Sequence, residues 1–493
     1  MIPEKWEPVF GKGSCSISES RAGAEAPLAL AGSEDVRQTA RAVLAEAAAR
    51  IRAWLADGSD TSLARRMAGT AFLIRVASAV LAYGSQVLFA RWMGSSEFGI
   101  YVYVWTWVLL IGGIVDIGLA SSAQRFIPEY TERKQFDLLR GFLVGARWLS
   151  FGVATAIGAA GVLAVLLLQP WLDHPVVLPL LLACVALPIY GLTHMQEGIA
   201  RSYNWVNLSN LPPYVIRQIV LIALMGSAYA LGLTTDAVSA TIMGVASYWI
   251  ICAGQFFVLN RRLARRVEHG PKAYDFRYWL AISLPIFLIE TFYLLLTYSD
   301  VLILKQYSSP HDVAVYYAAA KTLALVAFVY YAVAQTAAHK FAELHVNGDR
   351  ERLADYIAHI VRLTFWPSFA ATVLVLAFGI PLLWLFGRDF VEGYHLMFIL
   401  AVGLLARAAV GPAERLLIML DQHYACAVIY AAAFVINVAL CVLLIPRMGT
   451  AGAAVSMSTA LVVESILLFV VTKRRLGYHV FIFGRPRTPR AGA

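Results

Sequence analysis

The sequence predicts an all-α polytopic membrane protein, with about twelve transmembrane helices in two six-helix lobes around a central cavity. Three observations lead there. Hydrophobic residues make up 60% of the chain and charged ones only 14%, against roughly 25% charged in soluble domains. The apolar residues fall in uninterrupted runs near or above the ~20 residues needed to cross a bilayer core. Six such runs precede a basic stretch at 261–277 and six follow it. So little polar side chain cannot cover a water-facing surface, which excludes a soluble enzyme, a nucleic-acid-binding module and a disordered chain.

Along the chain, residues 1–66 read as a cytoplasmic extension. Within it, Val36, Ala40, Val43, Leu44, Ala47, Ile51 and Leu55 recur at helical spacing, and Ser33 with Glu34 and Asp35 supplies a cap and first-turn acids. This predicts an amphipathic helix over about 33–56, lying on the membrane surface or against the protein's own loops. The N-lobe follows at 67–260, with spans at 68–91, 98–121, 143–168, 175–195, 213–234 and 237–259. After the basic linker at 261–277 comes the C-lobe at 278–473, with spans at 279–304, 313–338, 364–386, 394–412, 424–445 and 449–472. A basic tail occupies 474–493.

Charge sets the orientation. Arg125, Arg133, Lys134 and Arg140 share one connection, Arg261, Arg262, Arg265, Arg266, Lys272 and Arg277 the central one, and Lys473, Arg474 and Arg475 open the tail. The opposite connections are short and hold Arg91, Lys305, Arg388 and Arg447. The positive-inside rule then places both termini in the cytoplasm, and the chain in a cytoplasmic (inner) membrane. Most of the net charge of +9 is topological by this reading and does not call for a nucleic-acid partner. The short external loops also argue against a glycan-assembly enzyme, which needs room to build a site there. The five cysteines form no CxxC pair, so neither a metal site nor a disulfide framework is expected. Neither a P-loop nor a metalloprotease helix is present.

The two halves carry a weak repeat at a shift of 215 residues, which places Arg75 on Glu290, Tyr83 on Tyr298, Tyr101 on Tyr316 and Arg147 on Arg362. Parallel repeats with matching span counts are a transporter plan, with the substrate path between the halves.

Ionisable residues inside the spans carry the functional information, because burial in hydrocarbon is costly unless they face a cavity or a partner. Arg75 lies ~10 Å into span one and Lys321 ~12 Å into span eight, at 1.5 Å per residue. Glu290 sits near the middle of span seven, and Asp116 in the inner third of span two. Arg407 interrupts span ten just before Gly411-Pro412. We take Arg75, Lys321 and Arg407 as candidate substrate-binding cations, which would hold phosphate or sugar-acid oxygens. Glu290 and Asp116 are candidate ion-coupling carboxylates, responding to H⁺ or Na⁺. The bland alternatives are snorkelling for Arg75, an Arg75–Asp116 ion pair at similar depth, and an interfacial position for Arg407. Asp300 and Glu464 read as structural.

Two stretches carry a family resemblance. The first runs Phe89-Ala90-Arg91-Trp92-Met93-Gly94-Ser95-Ser96-Glu97-Phe98-Gly99-Ile100-Tyr101 and continues at Arg125-Phe126-Ile127-Pro128-Glu129-Tyr130. The second is Leu444-Ile445-Pro446-Arg447-Met448-Gly449-Thr450-Ala451-Gly452-Ala453-Ala454, closing with Lys473-Arg474-Arg475-Leu476-Gly477. Over roughly 65–477 the chain resembles the polysaccharide and oligosaccharide-lipid flippases of the multidrug/oligosaccharidyl-lipid/polysaccharide exporter superfamily. The resemblance implies a two-lobed fold of twelve to fourteen helices, with a cavity that alternates between the two faces. It further implies a cationic cavity that accepts a polyprenyl-linked glycan, with Arg75 and Lys321 similar to the superfamily's basic cavity residues. Glu290 and Asp116 depart from that pattern.

The expected function is therefore flipping of a lipid-linked oligosaccharide or polysaccharide precursor by alternating access, without an enzymatic step or a resident cofactor. Membrane lipids and other polysaccharide-assembly proteins are the expected partners. An H⁺- or Na⁺-coupled small-molecule or drug exporter of the same superfamily is the alternative.

Overall fold

The computed structural model describes residues 60–346 and 348–484. The helix expected over 33–56 and the arginines of 485–493 lie outside them. Packing divides the chain into two units, Met1–Arg66 and Met67–Ala493, and both lobes belong to the second. Among the described residues every regular element is helical.

The first helix, α1 (Asp60–Gly112), accounts for spans one and two, its two arms meeting at Gly94, where φ 79° and ψ 166° leave the helical region. Next come α2 (Leu119–Glu132), α3 (Phe136–Leu168), α4 (His174–Ser202), α5 (Val206–Asn210), α6 (Arg217–Ala230) and α7 (Ala237–Leu263). A π-helical turn, Leu211–Ile216, joins α5 to α6 around Pro212 and Pro213. The second lobe holds α8 (Phe276–Tyr307), α9 (Pro310–Leu323), α10 (Ala327–Val346), α11 (Arg350–Ala377), α12 (Gly379–Phe386) and α13 (Tyr394–Ala409). It closes with α14 (Ala413–Met419), α15 (His423–Met448) and α16 (Thr450–Val471). Among the described residues ten helical segments, from Phe136–Trp171 to Thr450–Leu476, are long and apolar enough to cross a membrane, and they coincide in order with spans three to twelve.

Polar residues at the ends fix where these helices begin. Asp236 accepts from the Ser239 amide to cap α7, and Asp275 from the Tyr278 amide to cap α8. At α9, Ser309 and Asp312 form a reciprocal capping box with Pro310 in the first turn. The central connection is pinned to the first lobe, since Arg140 donates to the carbonyls of Pro271 and Glu268.

Span two differs from the single helix expected over 98–121. The helix ends at Gly112, residues 113–118 are broken, and α2 starts at Leu119. Ile117 (φ 53°) and Gly118 (φ 71°) both adopt left-handed backbone. That conformation suits glycine but is strained for a β-branched residue. Asp116 compensates by accepting the Ala120 amide at 2.8 Å, which caps the new helix start.

The turns at 94, 169–173, 231–236, 308–309, 387 and 449 share one face, called here the short-loop face. The basic connections and the segment after α16 share the other. On the short-loop face a single apolar core draws on both lobes, joining Phe98, Tyr101 and Leu180 to Leu304, Tyr316 and Phe386. On the basic-loop face the packing separates. One core gathers Phe126, Phe142, Ile199 and Leu259 of the first lobe around Trp279, which the start of α8 contributes. Another gathers Phe341, Ile357, Leu417 and Tyr478 within the second. The lobes are thus joined by a broad core at one end; at the other the start of α8 packs on the first lobe while the rest of the second lobe keeps its own core.

Polar contacts reinforce the joined end. Arg91 donates to the carbonyls of Leu385 and Trp384 at 2.7 and 2.6 Å. His311 reaches Ser95 at 2.8 Å and Glu392 at 2.6 Å, while Lys305 pairs with Asp173.

Candidate functional site

A polar cluster lies where α2, α4 and α8 meet, at the level where the shared core gives way to separate ones. Asp116 is fully buried, and His194 Nδ1 stands 3.5 Å from its Oδ2. One turn into α2, Ser121 donates to Glu290 Oε1 at 2.6 Å, which links the first lobe to α8. His194 thus faces Asp116 directly, with Glu197 one turn along the same helix.

The next turn of α4 extends the cluster. Tyr214 donates to both oxygens of Glu197, at 3.0 and 3.1 Å. Arg201, four residues beyond Glu197 on the same helix, pairs with it. Arg75 lies on an exposed stretch of α1 with its guanidinium 4.6 Å from the centre of the Tyr214 ring. Toward the short-loop face, Arg217 sits 4.5 Å over Tyr248, which stacks in turn with Trp105. Arg217 is buried, and among the described residues its Nη1 has no hydrogen-bond partner.

A second cluster lies within the C-lobe. Arg407 Nη2 donates to Glu414 at 3.0 Å, and its Nε stands 3.6 Å from Glu464. Arg415 adds a contact to Glu414 at 3.3 Å, and the Tyr430 hydroxyl donates to the same carboxylate. Arg407 also lies over the rings of Tyr330 and Tyr293, at 5.2 and 5.6 Å. A small cavity opens beside it, lined by Tyr330, Tyr331, Ser368 and Leu404. This arrangement can hold a fixed charge in an apolar lobe, because each ion keeps an opposite partner.

Lys321 belongs to neither cluster. It sits on α9 with its ammonium 5.0 Å from the Tyr317 ring, beside the seam where Tyr83 meets Thr322 at 3.1 Å. Its charge acts on Asp300, which accepts hydrogen bonds from the Tyr316 hydroxyl and the Val301 amide.

The geometry therefore sorts the residues that sequence singled out. Arg75, Asp116 and Glu290 come to one region, Arg407 and Glu464 to another, and Lys321 to the seam. Arg75 and Asp116 do not pair, because Asp116 is taken up by the Ala120 amide and His194 while Arg75 covers Tyr214. Sequence reading missed His194, Glu197, Arg217 and Glu414. A signal existed for two of them, since His194, Glu197 and Arg201 follow each other at intervals of three and four, one face of a helix. That helix continues to Ser202, past the expected end of span four at 195.

Residues 66–339 match the profile of a family described as polysaccharide biosynthesis protein. Among curated proteins none matches the chain. Among solved structures, an inward-facing multidrug resistance transporter of the MATE family and MOP superfamily superposes with a TM-score of 0.66 at 14% identity, covering 83% of this chain and 94% of that one. The lipid II flippase MurJ in an inward closed conformation gives 0.64 at 17% identity, covering 81% and 87%. A MOP superfamily transporter from Pyrococcus furiosus, described as having a binding pocket of reverse polarity, gives 0.64 at 14% identity, covering 85% and 96%. At these identities the likeness is one of fold.

Proposed function

Because this chain belongs to the polysaccharide biosynthesis protein family, we propose that it flips a lipid-linked oligosaccharide or polysaccharide precursor across the cytoplasmic membrane by alternating access. The observation that carries this reading is the division of the apolar core. The lobes share a broad core on the short-loop face, whereas on the basic-loop face the start of α8 packs on the first lobe and the rest of the second lobe keeps a core of its own. With the basic loops cytoplasmic, this packing supports a state that opens to the leaflet where such precursors are made.

In this reading Arg75 and Lys321 attract the anionic phosphate linkage of a polyprenyl-bound glycan as it enters between the lobes. Arg407 supports them from the C-lobe, its charge held in place by Glu414 and Glu464. Asp116 and Glu290 couple the cycle to a proton or sodium gradient: Asp116 caps the broken span and Glu290 joins it to α8, so their charge state bears on both lobes. Chemistry on the cargo is left to other polysaccharide-assembly proteins.

One observation favours the second reading, export of a cationic small molecule. Asp116, Glu197 and Glu290 gather in the region of His194, a set of carboxylates that would suit such a cargo. Deletion of the gene separates the two. Loss of surface glycan with lipid-linked precursor accumulating on the inner leaflet supports the flippase; unchanged glycan with new drug sensitivity overturns it. Full glycan production by Arg75→Ala, Lys321→Ala and Glu290→Gln variants at normal expression would remove the proposed site.

A further inference from the structure

We infer that the segment following α16, together with the adjoining surface of α11, is a docking site for anionic phospholipid headgroups of the leaflet on the basic-loop face. The segment begins with a π-helical turn, Thr472–Leu476, and reverses at Gly477, whose φ is 76°. Beyond it the side chains alternate. Tyr478, Val480 and Ile482 are buried in the C-lobe core, whereas Phe481 and Phe483 are 38% and 79% exposed. The Ile482 amide donates to the Ala409 carbonyl at 3.0 Å, which fixes the strap to the end of α13. The exposed aromatic edge is therefore held in place by the backbone.

Beside that edge an open groove is lined by Arg362, Trp366, Ile482, Phe483 and Gly484. Trp366 is 57% exposed and continues into exposed Phe369, 6.2 Å away between ring centres. Depth identifies the medium around this groove. Helix α11 has 28 residues, roughly 42 Å at 1.5 Å per residue, and overshoots a hydrocarbon core of ~30 Å. The apolar run it carries begins at 364, so Arg362 lies just outside the core and Trp366 in its first turn, at the level where headgroups meet acyl chains. Tryptophan gathers there, and a long cation reaches phosphate.

Charge selects the lipid class. From Ser465 to Ala493 the chain holds six Lys and Arg and no Asp or Glu. Lys473 lies 5.7 Å over Phe469, which packs against Phe481, so one of these cations sits at the aromatic edge. A basic, aromatic-edged groove at headgroup depth fits a phosphodiester anion in the bilayer better than a protein partner, which would meet it through lipid.

The test uses the full-length purified protein and native mass spectrometry, with phosphatidylglycerol and phosphatidylcholine supplied in equal amounts. Wild type should retain phosphatidylglycerol preferentially. Arg362→Ala with Lys473→Ala should lower that preference by about fivefold per cation removed, whereas Arg362→Lys should keep it. Phe481→Ser with Phe483→Ser should weaken retention of both lipids. A thermal melt in detergent confirms that each variant is folded, and Arg362→Gln alone serves if the double variant is not. Equal retention of the two lipids by wild type, an unchanged preference in the folded cation variants, or a second copy of the chain held at this groove would overturn the inference.

Discussion

Gly99 lies so close to Pro310 that a β-carbon at position 99 would stand 1.8 Å from the Pro310 carbonyl oxygen. The two residues belong to different lobes and meet on the short-loop face, so this contact measures how tightly that face is shut. Gly99→Ala forces the backbones apart, and Gly99→Val more so. Both variants should insert normally yet lose at least ~90% of transport, about the factor of ten that 1.4 kcal/mol supplies. Spin-label distances between 94 and 309 should lengthen. An unchanged distance with full transport would show that this face does not set the cycle.

Arg91 secures the same face from the rim. It covers the Trp384 ring at 5.0 Å while donating to two carbonyl oxygens. Arg91→Lys keeps the charge but cannot present the planar fork. It should therefore behave like Arg91→Ala, with a two- to tenfold loss of transport and little change in melting temperature. Full activity of the lysine variant would reduce the contact to a simple charge effect.

The His194–Asp116 pair separates charge from scaffold. Asp116→Asn keeps an oxygen for the Ala120 amide and so preserves the start of α2, but it removes the negative charge. The variant should fold and fail to respond to the driving gradient, as measured by transport into vesicles with the pH or sodium gradient set independently. Asp116→Ala also removes the cap, and should lose a further 1–2 kcal/mol or so of stability. If the asparagine variant couples normally, Asp116 is a structural cap and no more.

Arg407 is expected to act mainly through stability. Its removal leaves Glu464 buried without a cation and Glu414 with Arg415 alone, at a cost of about 3–5 kcal/mol. Arg407→Met should therefore melt early or express poorly, and Glu464→Gln in the same chain should restore part of the loss. Rescue of folding without rescue of transport would show that the guanidinium also serves the cargo.

The lipid-spanning plan was legible because it rests on run length and composition, which any single sequence displays. Spans three to twelve match the helices in order. The break in span two was not legible from hydropathy, since residues 113–118 are as apolar as their neighbours apart from Asp116. The tandem Gly112-Gly113 and Gly118 were its trace. Intramembrane charges were legible as a set, but their pairing was not. Arg75 and Asp116 stand at comparable depth, and only the packing of α4 shows that His194 lies nearer. Glu414 escaped because it follows a Gly-Pro break, where helix ends and solvent exposure are the ordinary expectation. In this protein the short helix α14 folds back there and buries it.

The separate cores on the basic-loop face also bear on how the molecule comes apart. Heat or denaturant meets several packed regions rather than one. The packing around Trp279 and that around Leu417 have no shared residues, so each should open without disturbing the other. The region around Phe98 and Phe386 is common property and should yield last. Amide exchange would grade accordingly, fastest at the two free ends and slowest at the bearing between them. A chain arranged this way concentrates its softness at the mouth and its rigidity at the pivot.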